Sequence, residues 1–327
     1  MKSVKYFLAA IVISFPLWWG LNSFSFTLED YFAGTSFAYE DKILNASAQE
    51  AVLSQKLESA KPIKKGNIEN LELGARAAIS IHLNKETNSE KSLFEKQGDV
   101  ILPIASLTKL MTAYVVLENY SLDEIVSISK DAIDQDEEFG QLKAGENIKV
   151  SELLYPLLME SSNDAAYALA EVIGVESFVD LMNMEAKNMG LKNTHFVNPT
   201  GLNEENATAT KYLNYSTVKD LSRMTELLLK NPLIWDILSQ TDYYLYTDGV
   251  FHHKLENTNE LLKTEENWGK RIIGGKTGWT PEAKGCLIIV LKDPNNGGYL
   301  INVVLSSDDR FLEMTKLINW VEESYRW

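Results

Sequence analysis

Arg271-Ile-Ile-Gly-Gly-Lys-Thr-Gly-Trp-Thr280, followed after a short turn by Gly285-Cys-Leu-Ile-Ile-Val-Leu291, reads as the two arms of a β-hairpin. The turn Asn295-Asn-Gly-Gly298 then sends the chain back through Tyr299 to Leu305, so the C-terminal third supplies three antiparallel strands in a row. Their neighbours lie far upstream. Ala77, Ile79 and Ile81 alternate with Ala78, Ser80 and His82, as in a half-buried strand; Lys85 to Glu90 make a polar turn, and a second short strand surrounds Leu93. Arg310 to Tyr325 closes the chain as a helix. Strands drawn from both ends of one region, with a long insert between them, predict an α/β (α+β) fold: an antiparallel five-stranded sheet with helices on both faces, beside a mostly helical subdomain.

The insert is helical by pattern. Ala105 to Asn119 is apolar nearly all round, and Ser151 to Gly174 holds two helical stretches broken near Glu160 to Asn163. Glu176 to Met189 stops at Gly190, and Ser216 to Lys230 is amphipathic and ends before Asn231-Pro232. The helical subdomain therefore spans roughly 105–230 inside a domain of 73–327.

Composition narrows the partners. The 327 residues, 45% hydrophobic and 24% charged, suffice for one large domain or two modest ones. Lys and Arg number 31 against 46 Asp and Glu, a net charge of -15 that repels phosphate backbones, so no nucleic acid is expected. The single cysteine, Cys286, excludes an internal disulfide and lies far from any metal-ligand spacing. It reads as a small core residue.

At the N-terminus, Lys2 and Lys5 precede an uncharged stretch from Tyr6 to Leu28, and Glu29 and Asp30 follow it. Cations before and anions after place the start of the chain in the cytoplasm and the remainder outside. Residues 1–28 are read as a membrane anchor or a signal peptide, the uncleaved anchor being favoured because no clean cleavage site stands beside Trp18, Trp19 and Phe26. Residues 29–72, rich in Lys, Glu, Ser, Ala and Asn, are a polar spacer.

A serine hydroxyl becomes a useful nucleophile when a base takes its proton, and a lysine three residues on along a helix lies on the same face. Ser-x-x-Lys occurs three times. Ser127 to Lys130 follows a strand-like alternation, which sends the two side chains to opposite faces. Ser216 to Lys219 lies off the apolar stripe of an amphipathic helix, as an N-cap with a solvated lysine would. Ser106 to Lys109 opens the helix that has no polar face, where a buried lysine needs partners and a task. Two other segments offer them. Ser161-Ser-Asn163 sits in the break between two helices, and Gly274-Gly-Lys-Thr-Gly278 lies on a strand whose glycines allow a close approach.

With these motifs in that order, the chain resembles the D-alanyl-D-alanine carboxypeptidases, the low-molecular-weight penicillin-binding serine peptidases, over roughly Leu73 to Trp327. The resemblance rests on Ser106-Leu-Thr-Lys109, Ser161-Ser-Asn163-Asp-Ala-Ala166 and Gly275-Lys276-Thr-Gly278-Trp-Thr280. Thr194-His-Phe-Val-Asn-Pro-Thr-Gly-Leu202 and Asn257-Thr-Asn-Glu-Leu-Leu262 add to it.

The resemblance implies the β-lactamase/DD-peptidase-like fold. It also implies that Ser106 attacks the penultimate D-alanine carbonyl of a peptidoglycan stem pentapeptide, forming an acyl-enzyme while Lys109 takes the proton. Ser161 relays a proton to the departing D-alanine, and Asn163 holds Lys109 and the substrate amide. Lys276, Thr277 and Gly278 bind the terminal carboxylate, and the backbone N–H groups of Ser106 and Trp279 form the oxyanion hole. No metal or organic cofactor is implied. β-Lactam antibiotics are the expected covalent inhibitors, and the expected location is the outer face of the bacterial cytoplasmic membrane. Thr258 stands where some relatives carry an arginine, which shifts carboxylate recognition toward Lys276.

His82, His195, His252 and His253 lie in no recognisable nucleophile setting. The competing readings are a β-lactamase of the same fold, for which Glu204 or Glu205 would position water, and a binding protein that kept the fold without turnover. Endopeptidase action on crosslinked stems uses the same chemistry.

Overall fold

The computed structural model describes residues 62–327, apart from 88, 136–140, 204–212, 248 and 296, together with the isolated positions 16, 20, 49, 52 and 53. The N-terminal segment of 1–28, the spacer as far as 61, and Glu204 and Glu205 lie essentially outside the described residues. Among the described residues, no helix is long and apolar enough to cross a membrane. The chain divides into Met1–Ala60 and Lys61–Trp327, and the second unit carries the fold.

Five strands form the central sheet: β1 (Ala77–Asn84), β2 (Glu90–Lys96), β3 (Ile272–Thr280), β4 (Lys284–Lys292) and β5 (Gly298–Ser307). Their spatial order is β3-β4-β5-β1-β2, with every neighbouring pair antiparallel. The sheet has the predicted number of strands and joins the two ends of the domain through the β5–β1 ladder, in which Ile301 faces Ile81 and Asn302 faces Ser80. A second small ladder pairs Ile63–Lys64 with Tyr325–Arg326.

Both faces of the sheet are covered. Alternate residues of β4 serve different cores: Ile288 and Val290 join the helical side, while Leu287, Ile289 and Leu291 pack with Met314, Leu317, Ile318 and Val321 of the closing helix. This double burial explains the uninterrupted apolar run of β4. It also corrects the half-buried reading of β1, which is buried nearly throughout. Its polar positions turn inward to partners: Ser80 Oγ donates to Asn302 Oδ1 at 2.7 Å, and His82 Nε2 lies 2.9 Å from Asp293 Oδ2. Each buried polar group is thereby matched.

The longer helices among the described residues are α1 (Lys109–Asn119), α2 (Asn163–Glu171), α3 (Val175–Asn188), α4 (Val218–Leu228) and α5 (Arg310–Ser324); α4 and α5 pack on the sheet, whereas α1, α2 and α3 pack on one another in the helical subdomain. Helix α4 starts later than predicted. Ser216 pairs with Leu102 in a short ladder, and Thr217 is the cap, its hydroxyl accepting from the Asp220 amide. The sequence also marked Asn231-Pro232 only as a stop, whereas Pro232 opens a further short helix, Pro232–Leu238, at a position where its missing N–H costs nothing. The hairpin formed by Asp242–Thr247 and Val250–Glu256 was not foreseen, although Asp248-Gly249 between aromatic-rich stretches is a hairpin signal.

Glu313 of α5 ties the N-terminal approach to the sheet. Its Oε2 accepts from the amides of Gly74 and Ala75, and Lys316 Nζ donates to Oε1 at 2.8 Å. Burial alone would raise its pKa, but Lys316 and the two amides outweigh it and hold the carboxyl below the ordinary glutamate value. A carboxylate lowered in this way adds stability above its unfolded pKa and loses it as pH falls through the folded value. Glu313→Gln is therefore expected to cost about 1–3 kcal/mol near neutral pH. In urea unfolding followed by circular dichroism, the deficit against wild type should shrink on acidification; a constant deficit would show that the charge contributes nothing.

Candidate active site

Ala105–Thr108 form a 3₁₀ turn that runs directly into α1. Ala105 sits at φ 46, a backbone conformation that a non-glycine residue keeps only where its surroundings impose it. Thr108 Oγ1 donates to Ala105 O at 2.8 Å and receives a bond from Asn214 Nδ2 at 2.9 Å, bracing the turn from below. Helix α1 is enclosed nearly all round, as its apolar sequence predicts, and Lys109 is buried completely.

Lys109 Nζ is the hub. It lies 3.1 Å from Ser106 Oγ, 2.6 Å from Asn163 Oδ1 and 2.6 Å from the carbonyl of Thr200. The third contact explains why Thr194 to Leu202 belongs with the site. Asn198 Oδ1 accepts from the amides of Thr200 and Gly201 at 3.2 and 2.7 Å, folding the segment so that the Thr200 carbonyl faces the lysine. The site needs glycine at 201, where φ is 86 and a Cβ would stand 2.2 Å from the Ala105 oxygen.

Ser161 reaches the cleft by a different device. Pro156–Glu160 form a π turn, closed by the Ser162 amide donating to Pro156 O at 3.0 Å, and Ser161 follows in the left-handed region at φ 68. Ser162 takes the capping role, its Oγ accepting from the Ala165 amide at 3.1 Å, which leaves Ser161 and Asn163 directed into the cleft.

The opposite wall is β3. A Cβ on Gly278 would stand 3.1 Å from the Ser106 amide nitrogen, so the strand lies hard against the turn that bears the serine. Lys276 Nζ donates to Ser161 Oγ at 2.8 Å and to Thr277 O at 3.1 Å. Burial first, then the positive charges of Lys109 and Arg310, push the Lys276 ammonium well below the ordinary lysine range. Thr277 and Thr258 share a 2.6 Å hydrogen bond between their hydroxyls.

Between these walls lies a cavity of about 510 Å³, lined by Ser106, Ser161, Asn163, Thr277, Gly278 and Trp279 among others. Six of the eight predicted site residues line it directly, and Lys109 meets it through Ser106 and Asn163. Lys276 meets it through Ser161, and Trp279 is exposed at its rim.

Two contributors carry no signal in the sequence, Glu160 and Arg310, while Thr200 stands there only within the Thr194 to Leu202 segment, without a role. Arg310 lies at the start of α5, lines the cavity and donates to Gly278 O at 3.3 Å, adding a second cation to the cavity wall beside Lys276. Neither of the other Ser-x-x-Lys copies reaches the cavity lining. Lys219 pairs with Glu95 and Asp99 at the surface. Cys286 is in the core, where burial pushes its thiol up to about 11.

A family model for D-alanyl-D-alanine carboxypeptidase, peptidase family S11, matches residues 64–309 and so takes in every group of this cavity except Arg310. The chain belongs to that family. It is 32% identical over 262 residues to the D-alanyl-D-alanine carboxypeptidase DacF of Bacillus subtilis, covering 78% of this chain and 64% of the relative. It is 34% identical over 267 residues to a D-alanyl-D-alanine endopeptidase of Pseudomonas aeruginosa, covering 77% and 80%. Among solved structures, the Streptomyces K15 DD-transpeptidase superposes with a TM-score of 0.67 at 31% identity, covering 78% of this chain and 100% of that one. The fold is thus the penicillin-binding DD-peptidase fold, and the family assignment makes the chain a serine hydrolase.

Proposed function

We propose that the chain is a serine-type D-Ala-D-Ala carboxypeptidase that removes the terminal D-alanine from peptidoglycan stem pentapeptides. The observation that carries this reading is the set of partners around Lys109. Two of them, Asn163 Oδ1 and Thr200 O, are carbonyl oxygens that can only accept hydrogen bonds. A neutral lysine amine has two N–H bonds and one lone pair. With its hydrogens on those carbonyls, the lone pair faces Ser106 Oγ, the one partner of the three that carries a proton to give.

Ser106 then attacks the penultimate carbonyl and Lys109 receives the hydroxyl proton. The amides of Ser106 and Trp279 hold the oxyanion, a role supported by the close approach of Gly278, the residue before Trp279, to the Ser106 amide. Ser161, bonded to Lys276, protonates the departing D-alanine nitrogen. Lys276, Thr277 and Arg310 receive the terminal carboxylate, whose negative charge offsets the repulsion between Lys276 and the Arg310 guanidinium. Water completes the cycle by hydrolysing the acyl-enzyme.

β-Lactams acylate Ser106 in the same pocket. The domain works on the outer face of the cytoplasmic membrane, held by the N-terminal segment whose flanking charges orient it.

Mass spectrometry of peptidoglycan fragments incubated with the purified chain tests the reading. Loss of one alanine from pentapeptides is expected. The 34% identity to an endopeptidase favours a second reading, in which crosslinked fragments are cut instead. No change in any fragment would overturn both.

A further inference from the structure

The two adjacent histidines of the Val250–Glu256 strand are absorbed by no step above, yet they end at the cavity wall. His252 Nε2 lies 3.1 Å from both carboxylate oxygens of Glu146, and His252 Nδ1 lies 2.5 Å from His253 Nδ1. His253 Nε2 in turn lies 3.4 Å from Glu160 Oε2. Both imidazoles are buried, and Glu160 lines the active-site cavity directly before Ser161.

With Glu146 and Glu160 ionised, hydrogen counting limits the state of this row. Each of its three contacts joins two atoms that bear lone pairs, so each needs one proton: one on each Nε2, facing its carboxylate, and one between the Nδ1 atoms. Three protons on two rings make one imidazolium and one neutral imidazole. A fourth would place two N–H groups in a single 2.5 Å gap, and a second shared one cannot fit. That gap is also too narrow for a metal ion, whose bonds to imidazole nitrogen run to about 2.0 Å each. The pair's single positive charge then sits between two carboxylates, which suits its burial.

The row has a mechanical consequence. Ser161 owes its left-handed conformation to the π turn, and that turn is held from outside at two places: Met159 O accepts from the amide and hydroxyl of Thr258 at 3.0 and 3.2 Å, and Glu160 is held by His253. We propose that His252 and His253 share one proton and act as positioning residues, anchoring Glu160 to Glu146 so that Ser161 is held at hydrogen-bond distance from Lys276. The proposal rests on the function assigned above only for its kinetic test.

The experiment uses the full-length chain in detergent micelles. With ¹⁵N-labelled histidine, the four histidines give separable imidazole signals, and two of them are expected to share one strongly deshielded Nδ1 proton that vanishes in His252→Ala. His253→Ala should lower the rate of acylation by a fluorescent penicillin about 10–100-fold, with little change in binding of the unreacted drug, as a displaced relay group does. His253→Gln, whose amide N–H occupies the place of Nε2–H, should recover most of the rate. Two separate neutral imidazole patterns in the wild type, or wild-type acylation by folded His253→Ala, would overturn the proposal. If wild-type protein takes up no penicillin and releases no alanine, the functional reading fails while the imidazole spectrum still judges the shared proton.

Discussion

Ser106→Ala leaves a folded protein that takes up no covalent penicillin label and releases D-alanine at a background rate, a loss on the order of 10⁶-fold by analogy with nucleophile removal in other serine peptidases. The loss is this large because the remaining groups have nothing to activate. Lys109 keeps its bonds to Asn163 and Thr200, and the cavity keeps its shape, so substrate still binds. Removing one hydroxyl from a half-buried position disturbs no hydrogen bond that shapes the turn, since Thr108 and Asn214 brace it. Unfolding midpoints should accordingly agree with wild type within a few degrees. Residual labelling above background would show that another side chain is the nucleophile.

Gly201→Ala should also cripple the site, though less completely, without touching a reacting group. Its methyl would stand 2.2 Å from the Ala105 oxygen and 2.9 Å from the Ser106 amide nitrogen, both backbone atoms that cannot turn aside. The backbone at 201 is left-handed as well, which an alanine resists by about 1–2 kcal/mol. Relief requires moving either the serine turn or the segment that presents Thr200 to Lys109. We expect acylation to fall by 100-fold or more and stability by roughly 2–4 kcal/mol, as overpacking and backbone strain combine. Stopped-flow acylation and urea titration check the two effects separately. An alanine variant that acylates at the wild-type rate would mean that the Gly201 segment does not set the serine's position.

How much of this was legible in the sequence follows from the range of the interactions concerned. Strands β3, β4 and β5 announced themselves through local alternation, apolar runs and turn residues. Ser106 and Lys109 were separable from two similar pairs because the helix around them has no polar side. What escaped depends on contacts between distant segments. The inward-facing Ser80 and His82 looked like a solvent face because their partners, Asn302 and Asp293, lie more than 200 residues away. Arg310 gave no signal, since a cation opening a surface-like helix is common and only the fold brings it to the cavity. The histidine pair has no nucleophile beside it in the sequence, and its carboxylate neighbours, Glu146 and Glu160, come from segments about 100 residues upstream.

The β5–β1 ladder also constrains how the molecule comes into being. A chain delivered from its N-terminus presents β1 early, with one edge open, and the strand that closes that edge begins only at Gly298. The helical insert is complete long before the sheet beneath it exists, so the catalytic cleft cannot assemble piecemeal during synthesis. For a domain of this topology, the interval between emergence of Asn84 and arrival of Ser307 is the period of greatest exposure to aggregation and proteolysis, and holding factors that mask an unpaired strand edge matter most then.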